Sequence, residues 1–549
     1  MTTANGRTMG KITMRFPRGL FATVIVSAVL AALLGTLSDR ASISAAMIGP
    51  PQEIVHHAAH IAEIYPPRLE AWPEPRPEPI AYGHDHSLYV AGLAAGVHGR
   101  IYGAGAIRGT YAFGDGVEAV GDAQDQAVVV AYGRDGTALW TRTVSVSAGG
   151  SSFASVAAGS DGTIYAAGAR YGAGPADFGQ EVRLEAATPG TTAVLAAYDP
   201  HGAVLWATSP RREAWNPWGF SFGRPLTGGA LFAHTSFRAV AVDRAGNVYA
   251  AGSQSGGDLY HYGNEASVTA TARGYNAVLV RYDASGTAQW ARSICAGAGN
   301  SEFLSVAVDE NGYVYAVGYQ TGTGTLTYGT VVGAEGTCRG ENAVLVKYAP
   351  DGTAVWVRIA SGSSASRFTS VAVDSESAVY VGGSRIGTGT CEYGPRVRLT
   401  ESSNRLSPVL VSYTPNGVAR WARSATGSKL TMGFESVVVG AGGLVHAIGQ
   451  QFGTDELVYG DRVCVAGNSE CGNPVLLTYT SNGTALQATT MAGSCNGPAF
   501  GALAADGLGT IYLASHLWTD FVTYSDGSDP PEMRYISYSF RMVAAVPDW

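Results

Sequence analysis

Lysine is nearly missing from this chain: Lys11, Lys347 and Lys429 are the only three in 549 residues. Charged residues of every kind make up 14% of the composition, and the net charge is −8. A nucleic-acid partner or an anionic membrane surface calls for a clustered basic face, so neither is expected. Enzyme signatures are missing as well. There is no Gly-x-Ser-x-Gly elbow and no closely paired metal-ligand motif. The Gly-Thr-Gly-Thr run at Gly322 to Thr325 lacks the Lys-Ser/Thr and the following helix of a phosphate loop. No catalytic residue, metal or cofactor is assigned from the sequence.

Long apolar runs are equally scarce. The stretch Leu20 to Ser38 is uncharged and largely apolar, and it follows Arg7, Lys11, Arg15 and Arg18 with no acid among them. A basic flank before such a run reads as a signal peptide or a single-pass membrane anchor, with the rest of the chain exported to the periplasm, the envelope or the exterior. Ser44-Ala45-Ala46 offers a cleavage site. Residues 1–46 are assigned to this segment, and membrane contact is expected only through it. Residues 47–79 form a semi-rigid spacer, with Pro66-Pro67 and then Pro73, Pro75, Pro77 and Pro79. His56, His57 and His60 in it are read as solvated linker residues rather than metal ligands.

Cysteine is limited to six residues. In an exported protein these can pair. Cys464 and Cys471 fall within one connection and form the expected disulfide.

What the chain has in abundance is glycine, 73 residues, and a repeat. Its best-kept piece reads VAVDxxGxVYxxG, with copies at Leu93, Val156, Val240, Val306, Val371, Val437 and Leu503. Two β-rich runs flank a tight turn in each copy, which predicts a hairpin. A second piece, NAVLVKYAPDGTAVW at Asn342 to Trp356, predicts a buried strand and a following strand joined by a turn glycine. Tyr132, Tyr198, Tyr282, Tyr348 and Tyr413 are each followed eight residues on by Trp140, Trp206, Trp290, Trp356 and Trp421, while Tyr479 is followed by Gln487. Phe153, Phe237, Phe303, Phe368, Phe434 and Phe500 precede each first strand, with Val90 in the first copy. Such regularly placed aromatics are expected to pack one four-stranded sheet on the next. Asp243, Asp309, Asp374 and Asp506 each open a hairpin turn and are read as turn residues rather than a carboxylate ring.

Seven four-stranded antiparallel units predict an all-β chain folded as a seven-bladed β-propeller over 80–549, since radial repetition leaves only short, protected edges. The seventh unit shows no fourth strand of its own after Pro547-Asp548. Ile80 to Tyr82 is the expected donor that closes the ring.

The units resemble the bacterial SBBP repeat family, named for a seven-bladed β-propeller. The likeness is carried by SVAVDENGYVYAVG at Ser305 to Gly318, NAVLVRYDASGTAQWAR at Asn276 to Arg292 and NAVLVKYAPDGTAVWVR at Asn342 to Arg358. It implies an envelope or secreted propeller and brings no catalytic residues with it. Gly440, His446 and Gln487 depart from the pattern. A weaker likeness exists to the Trp-containing repeats of quinoprotein-type propellers, which are shorter per blade.

One interval breaks the period. Phe153 to Phe237 is the longest spacing between units, and its surplus lies in Ser209 to Ala233. That insertion carries Arg211, Arg212, Trp215, Trp218, Phe220, Phe222 and Arg224. Aromatic and arginine residues together are the composition of a binding hot spot. The expectation is a non-enzymatic propeller presenting a loop-rich face to an envelope or surface protein, or to a glycan, or serving as a scaffold. The alternative is an extracytoplasmic hydrolase or lyase with residues drawn singly from several blades at the mouth of the central channel.

Overall fold

The computed structural model describes Arg68–Ala71 and most of residues 87 to 546; the longest stretches outside the description within that span are 214 to 232, 491 to 497 and 518 to 540. The fold is all-β: among the described residues the helical pieces are the 3-10 turns Val97–Gly99 and Ala441–Gly443.

The fourth repeat unit shows how sequence becomes structure. Ser301–Val308, Val314–Thr321, Glu341–Tyr348 and Ala354–Ile359 pair in that order as an antiparallel meander. The first turn is made by Asp309, whose Oδ1 accepts from the amides of Asn311 and Tyr313 at 2.9 and 3.0 Å. Its Oδ2 accepts from the Tyr315 hydroxyl at 3.1 Å, and Gly312 supplies the left-handed φ of 77°. Asp243 and Asp374 bond in the same way, and Asp506 accepts from Thr510 and Tyr512. These carboxylates hold turns, as the sequence predicts. The third strand is buried along nearly its whole length, which explains its continuous apolar run.

The first strands of the units are Ser87–Ala95, Gly149–Ala158, Ala233–Val242, Ser301–Val308, Ala365–Val373, Ser436–Val439 and Pro498–Ala505, and each packs on the next. Pro498–Ala505 packs in turn on Ser87–Ala95, so the series of contacts returns to its start. Hydroxyls tie the series together. Ser155, Ser305 and Ser370 accept from the amides of Val240, Val371 and Val437 of the following unit at 3.2, 3.2 and 2.9 Å. Apolar clusters also cross between units, with Trp290 and Leu279 packed with Phe303 and Tyr348, and Val90 and Val128 with Ala502 and Tyr512. Removing this apolar area from water, at about 25 cal/mol per Å², is the main term holding neighbouring meanders together.

Two features differ from the sequence reading. The strand that completes the last meander is Arg68–Ala71, which pairs with Arg541–Val546 and sets Leu69 opposite Ala545. Ile80 to Tyr82, the expected donor, lies outside the described residues. Arg68–Ala71 carries no proline, so all its amides can enter a ladder, unlike the alternating prolines that follow. The long connections between second and third strands are not plain loops either. Among the described residues, those of the first six units form small hairpins, such as Thr325–Tyr328 with Val332–Glu335 and Gly389–Gly394 with Val397–Glu401. Residues 1–46 lie outside the described residues.

Candidate active site

The site is built by a backbone irregularity that recurs in the first strands. Pairing with the second strand skips one residue after the core aromatic, between Val90 and Gly92, Phe153 and Ser155, Phe237 and Ala239, Phe303 and Ser305, and Phe368 and Ser370. A bulge of this kind bends the strand and re-aims a side chain. It depends on a glycine across the ladder: a Cβ on Gly252, Gly318 or Gly383 would stand 1.9, 1.9 or 2.0 Å from the carbonyl oxygen of Ser236, Glu302 or Arg367. This is the last glycine of the VAVDxxGxVYxxG motif. The core aromatic points into the sheets, with Phe237, Phe303, Phe368 and Phe434 at most 1% exposed. The residues on either side of it face the space enclosed by the first strands.

At those flanking positions stand Tyr89, Arg238, Glu302, Leu304, Arg367, Thr369 and Glu435. A cavity of about 590 Å³ collects Leu304, Arg367, Thr369, Glu435 and Gly501 from four different units, together with Glu341. The second strand ends here and the third begins, so the cavity opens on the side of the long connections. Charges in it are paired. Arg367 grips Glu341 with two nitrogens, its Nε lying 2.6 Å from Oε2, and its guanidinium stacks 5.3 Å from the centre of the Tyr319 ring. Tyr319 donates to Glu302 Oε2 at 3.2 Å, and Arg238 Nε lies 2.8 Å from Glu302 Oε1. One network therefore runs Glu341, Arg367, Tyr319, Glu302, Arg238 across three units.

Glu435 stands apart from this pairing. The residue is exposed, yet it stands in the lining of the cavity. The resulting desolvation raises its pKa above the usual carboxylate value. Burial and then the carboxylates of Glu302 and Glu341 push the Tyr319 phenol up to about 12. Burial lowers the pKa of His234, against the opposing pull of Glu302, and its ring meets Tyr275 edge-on at 4.9 Å. A carboxyl with a raised pKa that lines one cavity with a carboxylate held by arginine gives two acids in unlike environments, the condition for dividing proton donor from proton acceptor.

The sequence-based candidates lie elsewhere. Arg211 and Arg212 belong to the strand Arg211–Glu213, which pairs with Leu259–His261. Arg212 is engaged with Asp258 at 2.5 Å in a largely buried ion pair. Trp215, Trp218, Phe220, Phe222 and Arg224 lie outside the described residues. Cys464 is an exposed free thiol, and its expected partner Cys471 is likewise outside the description. Glu302, Glu341, Arg367 and Glu435 were not singled out by sequence reasoning. A signal was present: the two positions flanking the repeated Phe vary from unit to unit while the frame around them is kept.

No family model matches the chain, and no curated protein matches it. Among solved structures it is similar to the polysaccharide lyase Uly1, with a TM-score of 0.37 and 9% identity over 85% of this chain and 90% of that one. It is also similar to an ulvan lyase of polysaccharide lyase family PL25 bound to -[GlcA(1-4)Rha3S]-, with a TM-score of 0.32 and 11% identity over 66% and 76% of the two chains. Likeness at this level assigns neither substrate nor reaction to the chain.

Proposed function

We propose that the chain is an exported seven-bladed β-propeller that hydrolyses glycosidic bonds of a polysaccharide at the mouth of its central channel. The observation that carries this reading is the placing of Glu435, with its raised pKa, in one cavity with the arginine-bound carboxylate of Glu341. In the reaction Glu435 protonates the glycosidic oxygen as its bond to the anomeric carbon breaks. Glu341 accepts the proton of the water that adds to that carbon. Arg367 orients Glu341 throughout. Hydrolysis is favoured over β-elimination because Arg238 and Arg367 are already bound to carboxylates, and the third arginine of the lining, Arg385, is 2% exposed with its guanidinium donating to the carbonyls of Leu399 and Gly389. Elimination would need a cation to neutralise the acid group of a uronate.

The test is to incubate residues 47–549 with a panel of polysaccharides, following new reducing ends and the absorbance of unsaturated products. New reducing ends without unsaturation, abolished in Glu435→Gln, are expected. Unsaturated products would move the assignment to a lyase. Retained glycan binding with no turnover would return it to the non-enzymatic reading.

A further inference from the structure

A second, smaller pocket of about 160 Å³ opens on the same mouth between the second and third units, lined by Ser152, Tyr171, Thr191, His234 and Arg238 among others. Its wall is braced where Thr191 and His234 face each other across a short parallel pairing of Gly190–Tyr198 with Ala233–Val242. Its polar groups are set for a hydroxyl-bearing guest. Ser152 Oγ and the Tyr171 hydroxyl lie 2.8 Å apart. His234 is half-buried, and as a neutral imidazole it offers one donor and one acceptor. The volume is on the order of five water molecules in bulk, the room one sugar ring displaces.

Tyrosines mark the path between the two cavities. Among the described residues the exposed tyrosines are Tyr89 at 51%, Tyr171 at 40% and Tyr275 at 41%, whereas most tyrosines of the repeat are buried. Tyr171 lines the small pocket, and Tyr275 touches His234. Tyr89 sits on the first strand of the first unit, between the seventh unit, which contributes Gly501 to the large cavity, and the second, which contributes Ser152 to the small one. Burial and then the charge of Glu435 raise its pKa while Arg238 lowers it, in keeping with a place between the two cavities. An amphipathic ring left in water at a polar mouth suits the apolar face of a sugar ring.

We infer that the small pocket is a remote sugar subsite, joined to the Glu435 cavity by Tyr89, and that the substrate is an extended, uncharged glycan lying across the channel mouth. This rests on the reading of the mouth as a glycan site. The absence of charge on the substrate follows from the lining: Arg238 and Arg367 are matched by Glu302 and Glu341, Arg385 is buried with its guanidinium on the carbonyls of Leu399 and Gly389, and Glu435 adds a further carboxyl. A polyanion would meet no unspent cation there.

The experiment uses a ladder of neutral oligosaccharides cut from the polysaccharide that the protein cleaves or binds, with Tyr171→Ala and Tyr89→Ala compared with the parent after circular dichroism confirms folding. The expected result is that kcat/KM rises with chain length and then levels off. Tyr171→Ala should lower kcat/KM at least 10-fold on the longest chains and leave the shortest unaffected. Equal losses on short and long chains, no loss on either, or stronger inhibition by a polyuronate than by a neutral chain would overturn the inference while leaving hydrolysis standing. If chains bind without being cut, the same comparison of dissociation constants decides the subsite, and hydrolysis alone fails. If no glycan binds, both fail.

Discussion

Trp290 donates its indole N–H to the carbonyl of Pro350, 3.0 Å away in a turn of the next repeat unit. Arg292 of the same strand donates to the carbonyl of Gly352 at 2.8 Å, and its guanidinium covers the Trp290 ring. The pattern recurs from Trp140 to Pro200, Trp356 to Pro415 and Trp421 to Ser481. The fixed Tyr-to-Trp spacing of the sequence is thus a latch between neighbouring units.

Replacing Trp290 by alanine removes both packing and latch, and should cost about 3 to 5 kcal/mol. Trp290→Phe keeps much of the packing and removes one of two donors to the Pro350 carbonyl, which Arg281 still reaches at 3.0 Å, at a cost of about 0.5 to 1.5 kcal/mol. Urea titrations of the three proteins check the order.

In the sixth unit two departures from the repeat compensate each other. Where the third, fourth, fifth and seventh units pair a turn aspartate with a tyrosine, this one has Gly440 and His446. A Cβ on Gly440 would lie 2.9 Å from His446 Nε2, so with the imidazole as placed a side chain at 440 must displace it. His446 is buried, its Nδ1 lies 3.0 Å from Thr478 Oγ1, and burial pushes its pKa down to about 4. Above about pH 6.5 the ring is neutral in both folded and unfolded chains and contributes no pH dependence. Between about 6.5 and 4 the unfolded chain takes up a proton that the folded chain refuses, so stability falls with pH by about 3 kcal/mol in all. Thermal melts across this window should show the loss. The double substitution Gly440→Asp with His446→Tyr should remove it, and Gly440→Asp alone should destabilise at every pH.

Glu435 must be protonated to act as the acid. With its pKa raised by desolvation, kcat/KM should fall as pH rises through a limb lying above the ordinary carboxylate range. Glu435→Gln should lower kcat by about 10² or more and abolish the limb, while glycan binding measured by calorimetry stays within a few fold. A limb that persists in Glu435→Gln belongs to another group.

Gly318→Ala tests the bulge that aims the site. The added methyl meets the Glu302 carbonyl at 1.9 Å, so the two strands must part. Overpacking of this kind costs about 1 to 3 kcal/mol or more. Because the displaced residue is Glu302 itself, activity should fall further than stability does. An alanine at Gly322, where a Cβ meets nothing within 4 Å but φ is 84°, gives a control that strains the backbone without touching the channel.

The sequence by itself determined the repeat, the strand order within each unit, the aspartate and glycine turns, and the aromatic packing, because each depends on residues close together in the chain or on a spacing kept from unit to unit. It did not disclose the hairpins in the long connections, which lack a strong alternating pattern. Nor did it disclose that Arg68–Ala71, from a stretch expected to be linker, pairs with Arg541–Val546; partners that far apart leave no local signal. The site was hidden for the same reason. Glu302, Glu341, Arg367 and Glu435 are scattered over three units and carry no linear motif. Only the packing of first strand on first strand, with bulges beside Glu302 and Arg367 and with Glu341 at the start of a third strand, brings them to one mouth.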